Sequence, residues 1–252
     1  MEPILEVKNL TKTFAEKGQK DFTAADQVSF RLYPGETLGI VGESGSGKST
    51  VARVVTRLAD VTSGEILLDG QPITHVKGRR LREIYRKIQM VFQSPAGSFD
   101  PRRTLGDGIG ESLRNCGLSR KDISERVKTL LAQCGLEAEY AARYPHEVSG
   151  GQCQRAAIAR ALAIQPKILV LDEATSSLDV TIQKQIMELL ASVQKEKGIS
   201  YLFICHNLAL VQNFCDRLLV MHQGRIVEEG TPDQVIFHPR EEYTKRLVDA
   251  VL

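Results

Sequence analysis

Gly42-Glu43-Ser44-Gly45-Ser46-Gly47-Lys48-Ser49 has the spacing of a phosphate-binding loop. Its glycines let the backbone wrap the phosphates, its lysine reaches the outer ones, and its serine hydroxyl sits on magnesium. The flanks carry the fold. Thr37-Leu38-Gly39-Ile40-Val41 reads as a short buried strand, and Val51, Val54, Val55 and Leu58 recur at helical spacing after the loop. The loop therefore lies where a strand feeds a helix N-terminus, whose unpaired N–H groups and positive dipole end favour phosphate. Further along, Val148-Ser149-Gly150-Gly151-Gln152 offers a hydroxyl, glycines that permit close approach and a helix beginning at Gln152. In isolation Ser149-Gly150-Gly151 equally reads as a helix cap.

Outward from these two stretches, the first ninety residues look β-rich. Ile4 to Val7, Val28 to Leu32, Leu38 to Val41, Ile66 to Leu68 and Ile88 to Phe92 are short apolar runs broken by turn residues such as Pro34-Gly35 and Asp69-Gly70. From about Ser94 the texture turns helical: Thr104 to Asn115, Arg120 to Gln133 and Gln152 to Ala163 suggest an insert, spanning roughly 94–163, before the next core strand. That strand, Ile168-Leu169-Val170-Leu171-Asp172, is a continuous apolar run of the kind buried on both faces of a parallel sheet. A helix bearing Ile182, Ile186, Leu189, Leu190 and Val193 follows and stops at Gly198. Tyr201 to Ile204 gives another buried strand, and Leu218 to Val227 reads as a hairpin about Gln223-Gly224.

Alternating strands and helices imply an α/β fold with a mostly parallel sheet, in which ligands bind beyond the carboxyl ends of the strands. Asp172, Glu173 and His206 fall at such ends, so the sheet rule expects them to meet the loop around one phosphate group. Taken singly, the acidic pair also reads as a helix cap and the histidine as an ordinary packed or surface residue.

Composition bounds the rest. A chain of 252 residues with 42% hydrophobic content can bury a large single-domain core, and 33 basic against 31 acidic residues leave a net charge of +2. That balance gives no broad single-sign field and argues against bulk nucleic-acid binding. The N-terminal stretch lacks signal-peptide regions, and no apolar run approaches the ~18 residues of a spanning helix, so a cytosolic chain is expected. Cys116, Cys134, Cys153, Cys205 and Cys215 form no C-x-x-C pair and read as reduced thiols. Adjacent Cys205 and His206 suggest a metal site less well than ordinary packing, because neighbours on a strand point to opposite faces.

Together these motifs resemble the nucleotide-binding subunit of an ATP-binding-cassette transporter over essentially the whole chain, read as one nucleotide-binding domain. Gly42 to Ser49 match that family's P-loop, Gln93 its Q-loop, and Ser149 to Gln152 its signature. Ile168 to Asp172 match the Walker B strand, Glu173 the following carboxylate, Ser177-Leu178-Asp179 the D-loop, and His206 the switch histidine. Phe14 occupies the place of the aromatic that stacks on adenine, with Phe22 nearby. Val148, Cys153, Ala174 and the Cys205-His206-Asn207 run depart from common residues, yet every charge-bearing position is filled.

The resemblance implies ATP as substrate and Mg2+ as its partner ion. Gly42, Glu43, Ser44, Gly45, Ser46, Gly47, Lys48, Ser49 and Thr50 would bind the phosphates. Ser49, Gln93 and Asp172, the last directly or through water, would hold the metal. Glu173 would polarise the attacking water, with His206, Gln93 and Lys48 completing the γ-phosphate environment. Ser149, Gly150, Gly151, Gln152 and Asp179 would face the nucleotide of a second cassette subunit, in a sandwich closed by ATP and reopened by hydrolysis.

Several segments resemble importers for peptides and nickel: Gln89 to Pro95, Ser98 to Arg102, Tyr144-Pro145-His146, Leu178 to Val180, and the tail around His238-Pro239-Arg240 and Tyr243-Thr244. The tail is closer to the shorter ATPase of such pairs, particularly in nickel-type systems. The implied partners are a second, different ATPase subunit, two membrane-spanning permeases and an extracytoplasmic binding protein, with no nucleic acid. The chain would then be peripheral on the cytoplasmic face of the membrane. A permease helix would dock in a groove beside Gln93, with Phe99 either lining it or packing. A soluble non-transport cassette ATPase and a weakly hydrolysing regulatory subunit are the alternatives.

Overall fold

The computed structural model describes residues 1–15, 21–176 and 178–250. Its architecture is α/β, built on two sheets. The smaller is antiparallel, in the order β2 (Phe22–Leu32), β1 (Leu5–Phe14), β4 (Ser63–Leu68), β5 (Gln71–Pro72). The larger has the order β10 (Arg225–Gly230), β9 (Arg217–His222), β3 (Thr37–Val41), β8 (Ser200–Ile204), β7 (Ile168–Asp172), β6 (Ile88–Val91). All its pairings are parallel except the β9–β10 hairpin at one edge.

The apolar runs of β7 and β8 are buried throughout because both faces of the larger sheet are covered. Ile168, Val170, Leu202 and Ile204 join a core with Leu5, Val7, Leu10 and Val51, Val54 and Val55 of α1 (Lys48–Val55). Leu169, Leu171, Tyr201 and Phe203 join the opposite core, shared with the helices that follow β6. The period-2 alternation of a strand thus divides one sequence run between two cores. Each such side chain contributes roughly 1.5–3 kcal/mol by leaving water.

Between β6 and β7 lie α3 (Leu105–Asn115), α4 (Arg120–Gln133) and α5 (Gly150–Leu162), preceded in the chain by α2 (Gly78–Lys87). Thr104 and Ser119 cap α3 and α4 by accepting from Asp107 N and Asp122 N. Helix α5 packs against both α3 and β6, and four of its buried residues are alanines, Ala156, Ala157, Ala159 and Ala161, beside the larger Ile158 and Leu162. It is the crossover that a parallel β6–β7 pair requires. Beyond β7 come α6 (Val180–Lys197), α7 (Leu208–Phe214), α8 (Pro232–Phe237) and α9 (Glu242–Asp249). Helix α6 ends at Gly198, whose φ of 64° is the left-handed cap expected there.

Two expectations change, and one open alternative is decided. The first ninety residues contain α2, a helix so charged that Ile84 is its one buried residue. Leu58 lies past the end of α1, where Thr56 is the C-cap and Arg57 adopts φ 59°, and it is 52% exposed. Of the two readings of Phe99, packing holds. The residue is buried, the Arg160 guanidinium lies 4.4 Å over its ring, and a side chain on Gly108 would meet it.

Candidate functional site

Strand register assembles the site. Ile40 pairs with Ile204, Ile204 with Asp172, and Leu171 with Val91. The residues just past β3, β8, β7 and β6 therefore form one row along the carboxyl rim of the sheet. That row holds Gly42, His206, Glu173 and Gln93.

Two glycines of the loop between β3 and α1 leave no room for a side chain. Gly42 (φ 148°) would place a Cβ 2.1 Å from the carbonyl oxygen of Met221, and Gly47 (φ 106°) would place one 2.0 Å from that of Ala24. Gly45 (φ 81°) faces open space. Gly47 is also the N-cap of α1, so the loop closes on a helix N-terminus carrying Lys48, Ser49 and Thr50. Lys48 is buried, and its Nζ donates to the carbonyls of Gly42 (2.8 Å) and Glu43 (2.7 Å) and to Ser46 Oγ (3.3 Å). Burial pulls its ammonium below the ordinary lysine value, opposed by the nearby carboxylates of Glu173 and Asp172. Ser44 is an exposed turn residue of the same loop.

Ser49 donates its hydroxyl to Asp172 Oδ1 at 2.9 Å. Burial pushes the Asp172 carboxyl above the usual range, the Ser49 bond opposes this, and Glu173 adds to it. A buried hydroxyl–carboxylate pair suits a hard divalent cation such as Mg2+. Burial works against the ionised form of both Lys48 and Asp172. A phosphate-bound Mg2+ fits that donor set.

Glu173 sits directly after β7 with φ 48°, a left-handed conformation costing roughly 1–3 kcal/mol for a residue with a side chain. Its N–H donates to Ile204 O at 3.0 Å, and its carbonyl accepts from Ser176 N and Ser176 Oγ. This turn aims the carboxylate at the rim, where Gln93 Nε2 donates to Oε2 at 2.8 Å and His206 Nδ1 lies 3.7 Å from the same oxygen. Gln93 thus meets Glu173, whereas the Ser49–Asp172 pair bonds within itself. Cys205 and His206 diverge: the thiol is buried and its sulfur accepts from Asn207 N, while the imidazole is half-exposed.

The second stretch is elsewhere. Ser149 caps α5, accepting from Gln152 N at 3.3 Å, while Gln152 Oε1 accepts from Ser149 N at 2.9 Å, a reciprocal capping box. The helix begins at Gly150, two residues earlier than its apolar pattern suggests. Gln152 also reaches Tyr140, and a side chain on Gly151 would strike Ile182. Asp179 caps α6 through Ile182 N. Among the described residues no hydrogen bond joins Ser149–Gln152 to Gly42–Thr50. Ser177 of the D-loop match lies outside the described residues.

Phe14 ends β1 at 46% exposure, with Lys12 Nζ 4.9 Å over its ring, and its cross-strand partner is the still more exposed Phe22. Residues 16–20 of the stretch that joins them lie outside the described residues. One neighbour of the loop had no place in the expected site: Tyr243, whose hydroxyl accepts from Glu43 N at 3.0 Å. The two are 200 positions apart, and proximity at that separation leaves no trace in local pattern.

The sequence model of the ABC transporter family matches residues 25–176. Glutathione import ATP-binding protein GsiA of Escherichia coli (strain K12) is 48% identical across 99% of this chain. The chain spans about two-fifths of that protein, 41% of its length. The dimeric ATP-binding cassette MJ0796, in a post-hydrolysis state bound to ADP and Pi, superposes with a TM-score of 0.84 at 30% identity, covering 90% of this chain and 98% of that one. CbiO1 of Clostridium perfringens, part of the ABC transporter complex cbiONQ, gives 0.81 at 30% identity, covering 100% and 96%.

Proposed function

Since this chain belongs to the ABC transporter family, we propose that it is the ATP-hydrolysing subunit of an importer for short peptides or nickel, working as half of a two-cassette sandwich. The observation that carries the import reading is the 48% identity, over nearly the whole chain, to a glutathione import ATP-binding protein. Glutathione is itself a tripeptide, which favours short peptides over nickel.

Phosphoryl transfer to water is catalysed chiefly by positioning and by neutralising spread negative charge. Gly42 to Thr50 and the Lys48 ammonium supply donors and positive charge for the phosphates. Ser49 and Asp172 would hold Mg2+, which when bound would offset phosphate charge. Glu173 is the general base: its carboxylate polarises the attacking water, and Gln93 and His206, both within 4 Å of the same oxygen, fix its direction. Phe14 supports the adenine, with Phe22 beside it.

Ser149 to Gln152 and Asp179 serve the nucleotide of the opposing subunit. Their distance from this chain's own loop in the hydrogen-bond pattern, and the dimeric state of the MJ0796 cassette, both support that reading. The opposing subunit is a different ATPase chain, and the pair sits beneath two membrane-spanning permeases supplied by an extracytoplasmic binding protein. No helix among the described residues is long and apolar enough to cross a membrane, in keeping with a peripheral place on the cytoplasmic face.

The test is uptake of labelled glutathione, a labelled dipeptide and labelled nickel in cells lacking this chain, restored with wild type or Glu173→Gln. Loss of peptide uptake that wild type alone restores is the expected result. Undiminished uptake of all three would refute the import reading.

A further inference from the structure

Helix α9 returns from the far end of the chain to the phosphate-binding loop. Its approach is fixed by Glu228 on β10, whose carboxylate accepts from the N–H groups of Arg240 (3.0 Å) and Glu241 (3.2 Å). Within α9, Leu247 and Val248 are buried in the core shared with the helical insert. Tyr243, in the first turn, is 7% exposed. Its ring stacks on His222, at the end of β9, with centroids 3.8 Å apart and an interplanar angle of 28°. Stacking and burial hold the ring, and the hydroxyl accepts from the Glu43 N–H at 3.0 Å.

The Glu43 N–H and the Gly42 carbonyl are two ends of a single peptide unit. Its carbonyl end accepts from Lys48 Nζ at 2.8 Å. In a trans peptide these ends point in opposite directions, so the unit is clamped between the lysine on one side and the tyrosine on the other. The clamp acts on a vulnerable place, because a peptide unit that begins at glycine meets little steric resistance to rotation. Rotation would turn the carbonyl away from the ammonium and present an N–H in its stead. The Lys48 ammonium would then lose one of the acceptors that set its position in the loop.

We infer that Tyr243 is a positioning residue for ATP binding, holding the Gly42–Glu43 peptide in the orientation that places the Lys48 ammonium. This rests on the reading of Gly42–Thr50 as the nucleotide site. It gives the His238-Pro239-Arg240 and Tyr243-Thr244 segment a task inside that site, reached from the opposite end of the chain.

The experiment compares the full chain with Tyr243→Phe, which keeps the ring against His222 and removes the hydroxyl alone. Val248→Ala serves as the second variant, since it loosens α9 without touching Glu43. Affinity is read by equilibrium titration with a fluorescent ATP analogue and Mg2+, and stability by thermal melting. Tyr243→Phe is expected to weaken binding about three- to tenfold, the scale of one hydrogen bond, with little change in Tm. Val248→Ala is expected to lower Tm while binding stays within about twofold. A Tyr243→Phe affinity less than threefold weaker than wild type would overturn the inference. So would an equal loss in Val248→Ala, which would reduce the contact to general packing. A wild-type chain that bound no nucleotide would instead overturn the nucleotide-site reading, and the inference with it.

Discussion

Glu173→Gln separates the two things that the Glu173 side chain does. The replacement is isosteric, and its amide oxygen can go on accepting from Gln93 Nε2, a bond of 2.8 Å worth about 1 kcal/mol. The turn at φ 48° depends on backbone bonds to Ile204 and Ser176, which the substitution leaves alone. What disappears is a carboxylate basic enough to polarise water, and removal of a general base costs roughly 10²–10⁴ in rate, or about 3–5 kcal/mol in barrier. Binding should survive. Lys48 loses one supporting carboxylate but keeps those of Asp172 and Glu43, so ATP affinity is expected to stay within about threefold of wild type. Phosphate release at saturating ATP and Mg2+, paired with an equilibrium binding titration, reads both quantities. Turnover within tenfold of wild type would refute the assignment of Glu173 as base, and a parallel collapse of binding would show that the residue shapes the pocket instead.

Other outcomes follow from the same geometry. Gly47→Ala should abolish ATP binding and lower Tm by several degrees, because its Cβ would lie 2.0 Å from Ala24 O, whereas Gly45→Ala, facing open space, should cost only about 1–2 kcal/mol of backbone strain; equal losses in thermal melts of the two would contradict the steric account. Ser149→Ala removes an N-cap and should destabilise the chain by about 1 kcal/mol, leaving ATP affinity of the single chain intact while turnover of the assembled pair falls. Asp172→Asn should raise the Tm of the nucleotide-free, Mg2+-free chain at pH 7. Burial holds the folded-state pKa of Asp172 above its unfolded value, so the ionised form opposes folding at neutral pH, and that opposition lifts as pH falls through the raised value toward about 4. A melting difference between wild type and Asp172→Asn that did not shrink over that descent would count against it.

The rim of the sheet was readable because each of its residues ends a run with a strong local signature. The glycine loop has its own spacing, and the strands Ile168–Asp172 and Ser200–Ile204 are uninterrupted apolar runs, which in an α/β chain means burial on both faces. Elements with weak or mixed patterns were harder. β1 runs to Phe14 rather than Val7 because its outer half carries Lys8, Asn9 and Lys12 on a solvent-facing antiparallel surface. Helix α2 lacks an apolar stripe, since it lies on the surface with Ile84 alone turned inward. Phe99 was ambiguous because its partner Arg160 is sixty-one positions away, and the Tyr243 contact with Glu43 is still more remote. Local pattern reports what a residue's own element needs, and these contacts are set by how distant elements pack.

The alanine face of α5 has a mechanical consequence. Alanine has no side-chain torsion with which to absorb a change in spacing, so where α5 packs on its neighbours, α3, α4 and β6 among them, through Ala156, Ala157, Ala159 and Ala161, the spacing is set by near-backbone contact. The same helix begins at the Ser149–Gln152 cap, about one to three turns from those alanines. A single added methyl deep in that seam, remote from any phosphate, would therefore tilt the whole rod and displace its capped tip. In the proposed sandwich, the alignment of one subunit's tip with its neighbour's loop would thus depend on some of the smallest side chains in the core, which act as spacers of fixed thickness.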